Sequence, residues 1–250
     1  MRFQLLSDVH MRNGPHDLEV APGAEMLLLA GDIGNANDPA LLPFLARAAA
    51  LPGIRHVLMV RGNHEAFGSS LEEADALLAD AARRTPGLVF LNRATFDVPG
   101  TDLRVAGCTL WSRVSDAQRK RVTQEVGDFR HIRGWTLERR HQEHERDVDF
   151  LVGAMGGAVR DGKRLLFLTH HAPMLHITSS QAHRTGPYTS SYECDLEAML
   201  APPVVAAAFG HTHFSMDVTL PGGVRLLSNQ KGTPADADNC AYRANFAFDV

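Results

Sequence analysis

An α/β fold is what the sequence predicts, and two observations carry that expectation. Apolar runs of strand length alternate with helical patterns through the first part of the chain, which implies a parallel sheet. Five apolar runs also break abruptly into polar residues of one chemical kind. Leu5 and Leu6 lead into Asp8 and His10, Met26 to Ala30 into Gly31 and Asp32, and Val57 to Val60 into Gly62, Asn63, His64 and Glu65. Leu165 to Leu168 lead into His170 and His171, and Val204 to Phe209 into Gly210, His211 and His213. One such break would be an ordinary turn, because Gly and Asn suit turns for backbone reasons alone. Their recurrence points to a site: in open α/β sheets the ligand sits beyond the carboxyl ends of the strands, so the five ends are expected to meet at one edge.

A chain of 250 residues, 44% apolar, can bury a full core, and residues 1–250 read as a single domain. The formal charge of -4 gives no general attraction to nucleic acid or to an anionic membrane, so a nucleic acid polymer is not the expected partner. Cys108, Cys194 and Cys240 form no C-x-x-C pair and leave an odd count, which argues against a disulfide framework and against a thiolate zinc site. A reducing cytoplasm suits them. No apolar run approaches the roughly 20 residues of a membrane span.

Taken in order, the residues from Met11 to Gly23 read as a loop, followed by the strand Met26 to Ala30. Asp38 and Pro39 suit the N-cap and first position of a helix whose apolar face is Leu41, Leu42 and Leu45 and which Pro52 and Gly53 stop. Ser70 with Glu73 makes a capping box for the helix carrying Ala74, Leu77, Leu78 and Ala81, which ends at Thr85, Pro86 and Gly87. The period then shortens. Leu88 to Leu91, Thr95 to Val98 and Leu103 to Leu110 read as an antiparallel meander.

Residues 111–135 carry Arg113, Arg119, Lys120, Arg121, Arg130 and Arg133 against Asp116, Glu125 and Asp128, and have no clear period. They read either as a solvated excursion or as a cap that brings positive charge to an anionic substrate. A long helix from Thr136 to about Met155 shows Leu137, Val148, Leu151 and Met155 on one side. His141 and His144 on it have no strand end behind them and read as structural. The polar loop 173–195 has the length of a lid or specificity element, so 111–135 and 173–195 are the expected site-capping segments. Two further strands after His213 and a last one around Phe246 and Phe248 close the chain.

The strand-end residues supply carboxylate, amide and imidazole but no thiolate, a donor set suited to Mn, Fe, Co, Ni or Zn and too large for one ion. In order, the blocks D-x-H, G-D, G-N-H-E, H-H-A-P and G-H-T-H resemble the calcineurin-like metallophosphoesterase family, at Asp8 and His10, Gly31 and Asp32, Gly62 to Glu65, His170 to Pro173, and Gly210 to His213. The softer matches Gly107 to Ser112 and Asp128 to Arg133 are most similar to small bacterial members of unassigned substrate.

That resemblance implies a four-layer α/β/β/α sandwich and a site of two divalent or trivalent metal ions. Asp8, His10 and His213 would hold one ion, Asn63, His170 and His211 the other, with Asp32 bridging and His64 as the catalytic residue beside them. The implied activity is hydrolysis of a phosphomonoester or phosphodiester by metal-activated hydroxide, on a small phosphoester substrate. Two departures stand out. Many relatives carry Asp three residues after the bridging Asp, where this chain has Asn35, leaving the partner of His64 open. Where they tend to show Asn-Pro-Arg-Gly, this chain has Asn229, Gln230, Lys231 and Gly232, so an ammonium would replace a guanidinium contact. The competing readings are a scaffold protein that keeps the fold without turnover, and a nuclease. Complete ligand positions favour catalysis over the first, and the acidic balance disfavours the second.

Overall fold

The computed structural model describes residues 1–14, 16–181, 183–236 and 241–250, so Cys240 lies outside the described part. Strands β1 (Arg2–Leu6), β2 (Met26–Leu29), β3 (His56–Met59) and β4 (Leu88–Phe90) pair in parallel, and β11 (Ala247–Asp249) adds antiparallel to β1. In the second sheet β6 (Leu103–Cys108), β7 (Arg164–Thr169), β8 (Val204–Phe209) and β10 (Arg225–Ser228) run parallel. Its edges are β5 (Ala94–Asp97) and β9 (Met216–Thr219), both antiparallel to their neighbours.

Alternation along the strands builds the layers. In β2 and the residue after it, Met26, Leu28 and Ala30 face the second sheet and pack with Val105, Leu166 and Ala208, while Leu27 and Leu29 face outward. That outer face is covered by α1 (Leu41–Ala49) and α2 (Leu71–Arg84) through Phe44, Leu45, Leu78 and Ala81. The outer face of the second sheet is covered by α5 (Leu137–Asp161) through Leu151, Ala154 and Ala158. The result is the four-layer α/β/β/α sandwich.

The expected meander is corrected at its first strand. Residues Leu88 to Phe90 pair in parallel with Val57 to Met59, because α2 carries the chain across as a βαβ crossover. Of these three strands β5 and β6 form a hairpin, and the chain changes sheet at Asn92 and Arg93, where Arg93 has a φ of 52°. Between β6 and α5 lie the short helices α3 (Arg119–Glu125) and α4 (Asp128–His131). Among the described residues Cys108 and Cys194 are buried and unpaired, and no helix is long and apolar enough to cross a membrane.

Candidate metal centre

The five strand ends meet, and the turns there are made largely by the polar residues themselves. Asp8, His10, Asp32, His211 and His213 have φ of 51°, 48°, 53°, 70° and 49°, a left-handed region that side chains other than Gly seldom occupy. Each such residue costs on the order of 1–3 kcal/mol and persists only where its surroundings overdetermine it. Glu65 supplies much of that determination. Its fully buried carboxylate accepts the backbone N–H groups of Gly62 at 2.7 Å, Asp32 at 3.0 Å and Ile33 at 2.7 Å, locking the end of β3 to the end of β2. The close approach explains two glycines of the pattern: a Cβ on Gly62 would run into the Asp32 carboxylate, and one on Gly210 into the side chains of Ser7 and Asp8.

Seven residues singled out by the sequence come together in two groups. In the first, His10 Nε2 and His213 Nε2 are 3.0 Å apart, with Asp8 Oδ1 3.5 Å from His213 Nε2. In the second, His170 Nε2 lies 3.0 Å from Asn63 Oδ1 and 3.0 Å from His211 Nδ1. Asp32 stands between them, Oδ1 3.5 Å from His170 Nε2 and Oδ2 4.0 Å from His10 Nε2.

The outer hydrogen bonds show what the inner atoms are. His170 Nδ1 faces the Ala30 carbonyl at 2.9 Å and His211 Nε2 the Ser191 carbonyl at 3.3 Å, so those nitrogens carry the protons. Asn63 Nδ2 donates to Asp128 at 2.8 Å, which turns its oxygen inward. Three lone-pair atoms therefore converge with no proton among them beside Asp32 Oδ1, while Asp32 Oδ2, on the side of His10, is a buried oxygen without a hydrogen-bond partner among the described residues. Such a cradle fits a cation, and its oxygen and imidazole donors fit a borderline divalent one.

The charges tell the same story. Burial, reinforced by Glu65 and Asp8, pushes the Asp32 carboxyl well above its ordinary range. Burial also raises Asp8, but the hydrogen bond from His213 and the neighbouring imidazoles outweigh it and hold that carboxyl low. His10 is lowered to about 4, chiefly by burial. His213 is pushed up to about 9 because Asp8 and Asp236 overcome the opposing effect of burial. Three carboxyl groups, Asp8, Asp32 and Glu65, are thus buried side by side, a charge balance that a cation relieves.

His64 sits beside both groups. Its ring stacks on Phe67 at 4.1 Å and meets His10 edge-on at 4.6 Å, with Nε2 3.7 Å from Asp32 Oδ2. Asn35 does not supply its partner, since the Asn35 amide donates to the Phe67 carbonyl. A cavity of about 720 Å³ opens above, walled by Phe67 and His131 on one side and by Tyr188 and Tyr192 from the loop before β8 on another.

The basic segment does not charge this cavity. Arg113, Arg119, Arg121 and Arg133 pair at the surface with Glu145, Glu138, Glu125 and Glu73, and the segment offers the cavity Glu125, Val126, Gly127, Asp128 and His131 instead. Lys231 is absent from the lining as well, its Nζ lying 3.4 Å from His16 Nδ1. Among the lining residues Arg12 alone is an arginine or lysine, and sequence reasoning passed over it because it lies in a loop without a pattern. His141 and His144 stay outside the lining, and His144 Nδ1 faces the Trp111 carbonyl. Asp236, 2.7 Å from His213 Nδ1, was also missed, lying in a turn with no motif around it.

The family model of the calcineurin-like phosphoesterases matches residues 1–215. A protein of Acanthamoeba polyphaga mimivirus, L509, described only as uncharacterised, is 23% identical over 232 residues, 85% of this chain and 80% of its own. Among solved structures, phosphopantetheinyl hydrolase from Mycobacterium tuberculosis superposes with a TM-score of 0.71 at 15% identity, over 94% of this chain and 90% of its own. A dimetal phosphatase from Danio rerio superposes with a TM-score of 0.56 at 16% identity, over 92% and 87%. At these identities the two structures speak for the fold.

Proposed function

The chain belongs to the calcineurin-like phosphoesterase family, and from that premise we propose that it is a dinuclear metal-dependent hydrolase of small or nucleotide-like phosphoesters. The observation that carries this reading is the pair of inward-facing donor groups joined by Asp32 at the floor of a walled cavity. Asp8, His10 and His213 would hold one ion, Asn63, His170 and His211 the other, and Asp32 would be shared. Two ions of the Mn, Fe, Zn, Co or Ni type would supply Lewis acidity toward the phosphoryl oxygens and the attacking water.

The chain's own residues do the rest. The buried carboxylates and imidazoles lie in a medium of low effective dielectric, where interactions with a phosphoryl group are stronger than in water. His64, held flat by Phe67, is the residue to contact a phosphoryl oxygen or to hand a proton to the leaving oxygen. A volume of about 720 Å³ is in the range of small-ligand sites, far larger than one phosphate, and the aromatic walls suit a planar or extended organic group. Residues 111–135 and 173–195 would cap the site and hinder a polymer.

The test is a panel of aryl monoesters, aryl diesters, nucleotides, a phosphopantetheine ester and long single-stranded nucleic acid, each with and without a chelator. Turnover of a small ester, lost on chelation and regained with Mn, is expected. Metal-loaded protein that turns over nothing would instead favour the scaffold reading.

A further inference from the structure

Arg140 is wholly buried on α5, where an unpaired guanidinium would be very costly. It is bound on every side. Nη1 donates to Asp128 Oδ2 at 2.9 Å, Nε to the Ser112 carbonyl at 3.0 Å, and Nη2 to Ser112 Oγ at 2.9 Å and the Ser191 carbonyl at 2.7 Å. Two of these partners go on to touch donors of the second group. Asp128 accepts the Asn63 amide N–H through its other oxygen at 2.8 Å, and the Ser191 carbonyl faces His211 Nε2 at 3.3 Å. The remaining donor, His170, is fixed by the Ala30 carbonyl. In the first group, Asp8 is backed by Ser7 and His213 by Asp236, neither of which touches Arg140.

We propose that Arg140 is a positioning residue that orients Asn63 through Asp128 and His211 through the Ser191 carbonyl, and so sets the affinity of one of the two metal sites and not the other. The inference rests on the dinuclear reading above. An amide can turn over without changing shape, and only its hydrogen bonds decide whether oxygen or NH2 faces inward. A carboxylate held by a guanidinium is purely an acceptor, so it takes the NH2 and leaves the oxygen free to ligate. A lysine could keep the charge beside Asp128, but its point-like ammonium cannot reproduce the planar fork that also reaches Ser112 and Ser191. Partners of this kind behind a ligand are typically worth about 10- to 100-fold in metal affinity.

Full-length protein stripped of metal would be titrated with Mn by calorimetry and with Co by visible absorption, with thermal unfolding of the metal-free state run alongside. Wild type should take two ions. Arg140→Lys and Asp128→Asn should each weaken one site about 10- to 100-fold and leave the other unchanged. Asp236→Asn, behind His213, should weaken the site that those two variants spare. Equal weakening of both sites, or none, in Arg140→Lys and Asp128→Asn overturns the proposal; if Arg140→Lys does not fold, the isosteric Asp128→Asn decides it by the same criterion. Wild type taking fewer than two ions would overturn the dinuclear reading and this inference with it, an outcome distinct from unselective loss in the variants.

Discussion

His64 follows Asn63 directly and opens a short 3-10 helix, where its ring stacks on Phe67 with Nε2 3.7 Å from Asp32 Oδ2, beside the donors. Replacing it with Asn is expected to leave metal content intact and to lower turnover by about 10² to 10⁴, the usual scale of general acid catalysis. The check is kcat across a leaving-group series with metal analysis of the same samples; undiminished kcat throughout would make His64 a packing residue. The sequence left open a link to His64, but the Asn35 amide donates to the Phe67 carbonyl and its oxygen accepts the Asn37 N–H at 2.8 Å. Asn35→Asp would therefore remove a donor and set a carboxylate against a carbonyl, at an expected cost of about 1–3 kcal/mol in denaturant unfolding. The donor residues were legible because their side-chain chemistry recurs at strand ends. Their left-handed backbone was not: Asp and His enter that region more often than other residues with a side chain, but the residue type alone does not fix a φ of 51° at Asp8 or 49° at His213.

Among the elements, α2 is the one most fully written in the sequence. Ser70 and Glu73 exchange hydrogen bonds with each other's backbone as the motif requires, and Ser70→Ala is expected to cost about 1 kcal/mol by chemical denaturation. The long helix α5 is legible in the sequence as a helix but not as a surface. Its apolar stripe is there, with Leu151 fully buried, but so is a buried run of Arg140, Glu143 and Asp147. Nothing in the sequence marks these charged residues as buried, because their partners, Arg93, Asp128 and the Ser112 and Ser191 backbone, come from other segments. For the same reason the sequence does not place β4: a three-residue apolar run has no mark of which sheet it enters.

At the scale of the molecule, two sheets bring their carboxyl ends to one floor, β1, β2 and β3 from one and β7 and β8 from the other, and the site lies across the seam. Ions there would tie the sheets together, so their removal should be felt as stability. At a free concentration 100 times the dissociation constant, each ion contributes about 2.7 kcal/mol. Chelation is therefore expected to lower Tm measurably, with Mn restoring it; an unchanged Tm would mean that no ion is bound tightly in the native state.

Whether Asp32 stands between two metal ions is decided by anomalous scattering from crystals soaked in Mn. Two peaks are expected about 3.5–4 Å apart, one against Asp8, His10 and His213, the other against Asn63, His170 and His211, with the Asp32 carboxylate touching both. A single peak, or two peaks with Asp32 turned away from either, would contradict that arrangement.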